Sequence, residues 1–233
     1  MTPVTERQNI WTYRDLGLLL GSILPCLLLG SLLERAGRMA APSILTSDAV
    51  QALIFQTWLY LLLLGVLYLL AVKGHRQPLW KSLGWITAFP GAWWCVFLSP
   101  LLAIAISALG AALRAPLIHT PAEQLLAGKA SLLAVGVFST LVGPAFEELL
   151  FRGFLQPLLV QTFIPALAIA LTALPFALLH GAQYEWSWQH LILVFAAGAV
   201  FGSVRQRTGS TAASALVHMG YNLTLFVAYL AQN

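Results

Sequence analysis

The stretch AVQALIFQTWLYLLLLGVLYLLAV, Ala49–Val72, decides the fold. It runs for 24 residues without a charged side chain, between Asp48 and Lys73. As a helix it would be about 36 Å long at roughly 1.5 Å per residue, enough to cross the ~30 Å hydrocarbon core of a bilayer. Similar uncharged stretches lie on both sides, at Leu16–Leu33, Gly84–Leu113, Ala130–Phe146, Gly153–His180, Gln189–Val204 and Thr208–Asn233. The pieces between them are short and polar, or carry proline and glycine. None of the runs shows the two-residue alternation of a barrel strand. The expected fold is an all-α polytopic membrane helix bundle of seven spans, or eight if one long stretch is broken.

Composition agrees. Apolar types make up 59% of the 233 residues and charged types 9%, against about 45–50% and 25% in soluble domains. Too few polar side chains are present to clothe a soluble globule. That excludes a cytosolic enzyme, a disordered protein and a nucleic-acid-binding domain, and the net charge of +4 comes from too few charges to make a basic face. Cys26 and Cys95 sit singly inside apolar runs, without metal-ligand spacing or a disulfide framework. The first apolar stretch follows Glu6, Arg7, Arg14 and Asp15 and ends at Glu34 without a small-residue cleavage site, so it is expected to remain as a first span. Lys and Arg number eight on the N-terminal side (Arg7, Arg14, Lys73, Arg76, Lys81, Arg152, Arg205, Arg207) and four on the other (Arg35, Arg38, Arg114, Lys129). The positive-inside rule then places the N-terminus in the cytoplasm; the expected location is the plasma (inner) membrane.

Ionisable groups at membrane depth cost from ~2.5 to more than 10 kcal/mol, so they mark function. The densest cluster is Val142-Gly-Pro-Ala-Phe-Glu147-Glu148-Leu-Leu-Phe-Arg152-Gly153. Glu148 and Arg152 stand four apart with the acid first, the favourable order for an ion pair on one helix face. Glu147 points about 100° away from that pair. Pro144 cannot supply the helical N–H that Thr140 would receive. A second place is Phe176…His180, a third is His218…Asn222 with Ser214 one turn earlier, and the segment Gly181–His190 reads as an interfacial aromatic belt. With a turn near Thr162–Pro165, Glu147 and His180 each lie 15 residues from it, roughly 22 Å along adjacent antiparallel helices. Asn222, 15 residues past Arg207, falls in the same layer. A carboxylate beside a histidine, with a His/Asn pair opposite, is a water-activating site with donors for a developing oxyanion.

Other membrane hydrolases lack their parts here. No HExxH helix or GxSxG elbow occurs, and the only aspartates, Asp15 and Asp48, stand at span ends. The ordered trio EExxxR (Glu147, Glu148, Arg152), FxxxH (Phe176, His180) and HxxxN (His218, Asn222), with Arg207-Thr-Gly-Ser210 before the last, resembles the CAAX protease and bacteriocin-processing (CPBP) family, which includes the type II CAAX prenyl endopeptidases. The resemblance covers about Ala130–Leu225. It implies an eight-helix intramembrane glutamic endopeptidase without a cofactor. It assigns Glu147 and His180 to water activation, Glu148 and Arg152 to support, and His218 and Asn222 to the oxyanion hole. The substrate it implies is a peptide or membrane protein, in the CAAX subgroup a prenylated tail. On this reading the chain is one integral membrane domain, 1–233, with N-terminal spans over 1–129 and catalytic-core helices over 130–233. The residues by themselves leave three alternatives: a zinc hydrolase using His180, His218 and a glutamate, a proton-relay or transport protein, and a non-catalytic scaffold. Oligomeric state is not legible.

Overall fold

Why the helices start and stop where they do is mostly local chemistry. The computed structural model describes residues 9–40, 48–89, 92–118 and 129–232. Glu6 and Arg7, used in the sequence reading, lie outside them. Among the described residues there are eight helices and no strand. They are α1 (Tyr13–Ala40), α2 (Asp48–Tyr68, continuing as a π turn over Leu69–Gly74), α3 (Leu79–Ser82) and α4 (Ala92–Ala112). Then come α5, α6 (Pro165–Leu179), α7 (Trp188–Thr208) and α8 (Thr211–Gln232). The long α5 is assembled from α-helical Lys129–Val137, Gly143–Glu148 and Gln156–Val160, with π turns at Phe138–Val142 and Leu149–Leu155 between them. Among the described residues six helices are long and apolar enough to cross a membrane, and α6 is a shorter apolar one. The chain is a multi-pass integral membrane protein.

Two expected boundaries are corrected. The charged patch Glu147–Arg152 does not separate Ala130–Phe146 from Gly153–His180. It lies inside α5, and the break comes at residues 161–164, where α6 opens on Pro165, matching the turn near Thr162–Pro165 on which the depth count of Glu147 and His180 is based. The expected run Gly84–Leu113 begins with non-helical chain: Gly84 takes a left-handed conformation (φ +63°), and the helix starts only at Ala92.

The chain forms two compact units. One contains α1, α2 and residues 129–138, and the other contains residues 80–118 and 139–232. In the first, Thr12 and Asp15 cap α1 reciprocally, Thr12 N–H donating to Asp15 Oδ2 at 2.8 Å and Asp15 N–H to Thr12 Oγ1 at 3.3 Å, the capping-box arrangement. His75, just after α2, lies 2.8 Å from the same Asp15 oxygen.

In the second unit, α7 packs on α6 and α8 on α4. The core between α4, α7 and α8 is built from Cys95, Leu102, Ile106, Ala197, Phe201, Val204, Ala213 and Val217. The opposite face of α4 (Val96, Phe97, Leu101, Ile104) is more than 60% exposed, as lipid-facing side chains are. Gly209 ends α7 in the left-handed conformation (φ +67°), its N–H returning to Arg205 O, and Ser210 Oγ accepts the Ala213 N–H at 3.1 Å to begin α8. This tight link fixes where Ser214 and His218 fall along the next helix.

Candidate active site

The site is built on the π turns of α5. A π turn bonds each carbonyl to the N–H five residues on. Continuing Phe138–Val142 would next require the N–H of residue 144 for Ser139, and continuing Leu149–Leu155 would require that of residue 157 for Arg152. Both are prolines, which have no N–H, so each π segment stops there. The α-type donor for Arg152 O, Gln156 N–H, already goes to Phe151 O. Side chains from other helices supply the replacements. Asn222 Nδ2 donates to Ser139 O at 2.8 Å, and Arg205 Nε donates to Arg152 O at 3.1 Å. Counting in the α register had made Thr140 the carbonyl affected by Pro144; the π register adds Ser139.

Between the π turns lie the two glutamates. Glu148 and Arg152 form the ion pair expected from their spacing, Arg152 Nη1 donating to Glu148 Oε1 at 2.8 Å, with both side chains at 0% exposure. Arg152 Nη2 donates to Gly198 O at 2.7 Å. Its guanidinium carbon stands 4.6 Å from the Phe176 ring centre and 5.4 Å from that of Phe201, so aromatic faces replace part of the lost hydration. One turn on, Gln156 Nε2 donates to Gly202 O at 2.9 Å. Glycine at 198 and 202 is what lets α5 approach so closely: a Cβ at 198 would lie 3.1 Å from Arg152 Nη2, and one at 202 would lie 2.9 Å from Gln156 Oε1.

α8 brings the rest. Ser214 Oγ lies 2.5 Å from Glu148 Oε2. His218 Nδ1 is 3.0 Å from Glu148 Oε1, and its Nε2 is 3.8 Å from Glu147 Oε2. The His218 ring stacks on Phe201 at 4.3 Å between centroids. Because a carboxylate accepts, the proton of a neutral His218 sits on Nδ1; to donate from Nε2 as well, the ring must carry both hydrogens. Glu148 is thus held from three sides, while the Glu147 side chain keeps 19% of its surface accessible.

His180 follows the last residue of α6. Its Nδ1 is 2.8 Å from Phe176 O, and a carbonyl only accepts, so Nδ1 carries the hydrogen and Nε2 of the neutral ring is an acceptor. Phe176 joins the two histidines, its ring centroid 4.8 Å from that of His180 and 5.8 Å from that of His218. Glu147, Glu148, Arg152 and His218 therefore form one cluster, His180 and His218 both lie against the Phe176 ring, and Asn222 reaches back to α5. Arg205, Gly198 and Gly202 were not singled out from sequence. The spacing of two glycines four apart was the only signal for the last two, and Arg205 gave none.

Residues 129–224 match the family model described as type II CAAX prenyl endopeptidase Rce1-like. This segment belongs to the CAAX protease (CPBP) family. The match spans 96 of 233 residues and takes in every motif residue from Glu147 to Asn222, as the resemblance in the three motifs led us to expect. The family is one of CAAX-type intramembrane proteases, hydrolases with peptide or protein substrates in a membrane, and the match supports that general class for this chain. No curated protein and no solved structure matches the chain.

Proposed function

We propose that the protein is a glutamic endopeptidase that cleaves a peptide bond of a membrane-associated substrate with water activated by Glu147 and His180. The observation that carries this reading is the division of labour between adjacent glutamates. Glu148 is engaged by Arg152, Ser214 and His218, whereas Glu147 keeps an accessible surface beside His218 Nε2. Glu147 takes a proton from water while the water oxygen bonds to the scissile carbonyl carbon, with His180 Nε2 accepting from the same water. The carbonyl oxygen becomes an oxyanion, stabilised by the Asn222 amide and by His218 Nε2–H. Collapse breaks the C–N bond as Glu147 returns its proton to the leaving nitrogen. A positioned base contributes typically about 10²–10⁴-fold, and one oxyanion donor about 10²–10³-fold.

The substrate class is a peptide or membrane protein, a prenylated tail being the form suggested by the family description, and the mechanism uses no cofactor. Arg152 lies buried inside α5, paired with Glu148, and drops out of the charge count, which leaves seven Lys/Arg against four. On that bias the N-terminus is read as cytoplasmic, and the membrane as the plasma membrane. The test is cleavage of bilayer-embedded peptide libraries by purified protein. Glu147→Gln and His180→Ala should each abolish cleavage with melting temperature unchanged. Single-turnover rates within threefold of wild type in both variants would sink the reading.

A further inference from the structure

We infer that Arg205, at the last turn of α7, is a positioning residue for the active site: it holds the π turn that carries Arg152 by donating to a carbonyl that the backbone of α5 leaves without its helical donor. The inference rests on the proposed peptidase reading for its consequence, though not for its geometry. At Arg152 O the α-type donor is turned to Phe151 O and the π-type donor is Pro157, which has none. Arg205 Nε, 3.1 Å away, takes that place. A buried carbonyl left without a donor is destabilising, so the π winding that aims Arg152 at Glu148 depends on this contact.

The arginine is itself held, and by a segment far from the motifs. Gly84 packs against its guanidinium so closely that a Cβ there would lie 2.7 Å from Arg205 Nη2, and the left-handed φ of +63° at Gly84 already favours glycine. The same segment is fastened to the start of α8: Thr211 N–H donates to Gly84 O at 2.9 Å, Thr211 Oγ1 to Leu83 O at 2.6 Å, and Ser210 Oγ to Ile86 O. It also touches α5, since a Cβ on Gly153 would lie 3.0 Å from Leu83 O. Residues 83–86 thus meet Gly153, Arg205 and the start of α8 at once. They key the helix of Arg152 to the helix of His218.

Two readouts test this on the purified full chain, with Arg205→Met, Arg205→Lys and Gly84→Ala, all assayed well below their melting temperatures. Amide hydrogen exchange asks whether Arg205 holds the turn. Arg205→Met should raise exchange at least tenfold within residues 149–156 and leave α6 unchanged. Peptide cleavage asks whether the turn holds the site. Arg205→Met should lower kcat at least tenfold with KM within twofold, Arg205→Lys should recover part of both effects, and Gly84→Ala should show a milder form of both. Unchanged exchange in 149–156 overturns the inference, and so does raised exchange with unchanged kcat, which would leave Arg205 a merely structural contact. If wild type itself cleaves no peptide, the peptidase reading fails, and the exchange result still decides whether Arg205 holds the turn.

Discussion

Arg152 shows how a charge is kept in a dry site. Its guanidinium meets Glu148, the Gly198 carbonyl and aromatic faces at once, which makes it costly to remove alone. Breaking one side of a buried ion pair typically costs about 3–5 kcal/mol, because the remaining charge is uncompensated. Arg152→Met should therefore lower stability by about that amount, whereas Glu148→Gln with Arg152→Met should recover part of it and little activity. Thermal melts in a double-mutant cycle measure the coupling; additive losses would show that the two side chains do not stabilise one another. This pair was legible in the sequence because four-residue spacing survives within a helix. His218 was legible as a polar residue at the right depth, but its grip on Glu148 was not, since which nitrogen faces which carboxylate depends on how α8 rotates against α5. The family resemblance placed His218 in the oxyanion hole; the geometry adds that it also braces Glu148, so His218→Ala should lower both stability and rate.

At the scale of elements, proline and π winding work together. Each π turn of α5 runs until the next donor would be a proline, and each time a side chain from α7 or α8 makes the missing bond. Returning an N–H to position 144 should weaken that arrangement. Pro144→Ala gives Ser139 O a backbone donor that competes with Asn222, so melting temperature should hold or rise while kcat falls. Single-turnover rates beside thermal melts check this, and an unchanged rate would mean that Asn222 is fixed by other contacts. Hydropathy gave the helices, yet it misplaced two boundaries for physical reasons. A window average registers the charges of Glu147–Arg152 but not that they satisfy one another, so it broke α5 where the helix continues, whereas the depth count, which ran the helix on to a turn near Thr162–Pro165, agrees with the structure. It counted Gly84–Phe89 as apolar helix because bonds from Ser210 and Thr211 to backbone carbonyls leave no trace in hydrophobicity.

At the scale of the whole molecule, the scarcity of charges alone was enough to settle the class. The division of the chain into two units was not legible, because each unit joins segments distant in sequence and α5 contributes to both. The proposal of a mechanism without a cofactor has a direct check: purified protein treated with chelator should keep its peptide cleavage, and stoichiometric zinc lost together with activity would favour the zinc-hydrolase alternative. The shortness of α6 has a consequence for the bilayer itself. Its 15 residues reach about 22 Å at ~1.5 Å per residue, against a hydrocarbon core of roughly 30 Å, and His180 stands at its end. Just beyond, Trp186 and Trp188 are 62% and 57% exposed, side chains of the kind that anchor at headgroup level. This hydrophobic mismatch is relieved when the lipid thins around α6, drawing the aqueous boundary down toward the histidine. Membrane thickness then becomes a control on the supply of the second substrate, water. Reconstituted in short-chain phosphatidylcholine the enzyme should turn over at least threefold faster than in long-chain lipid at equal peptide occupancy, and equal rates would mean that water arrives by a route the bilayer does not govern.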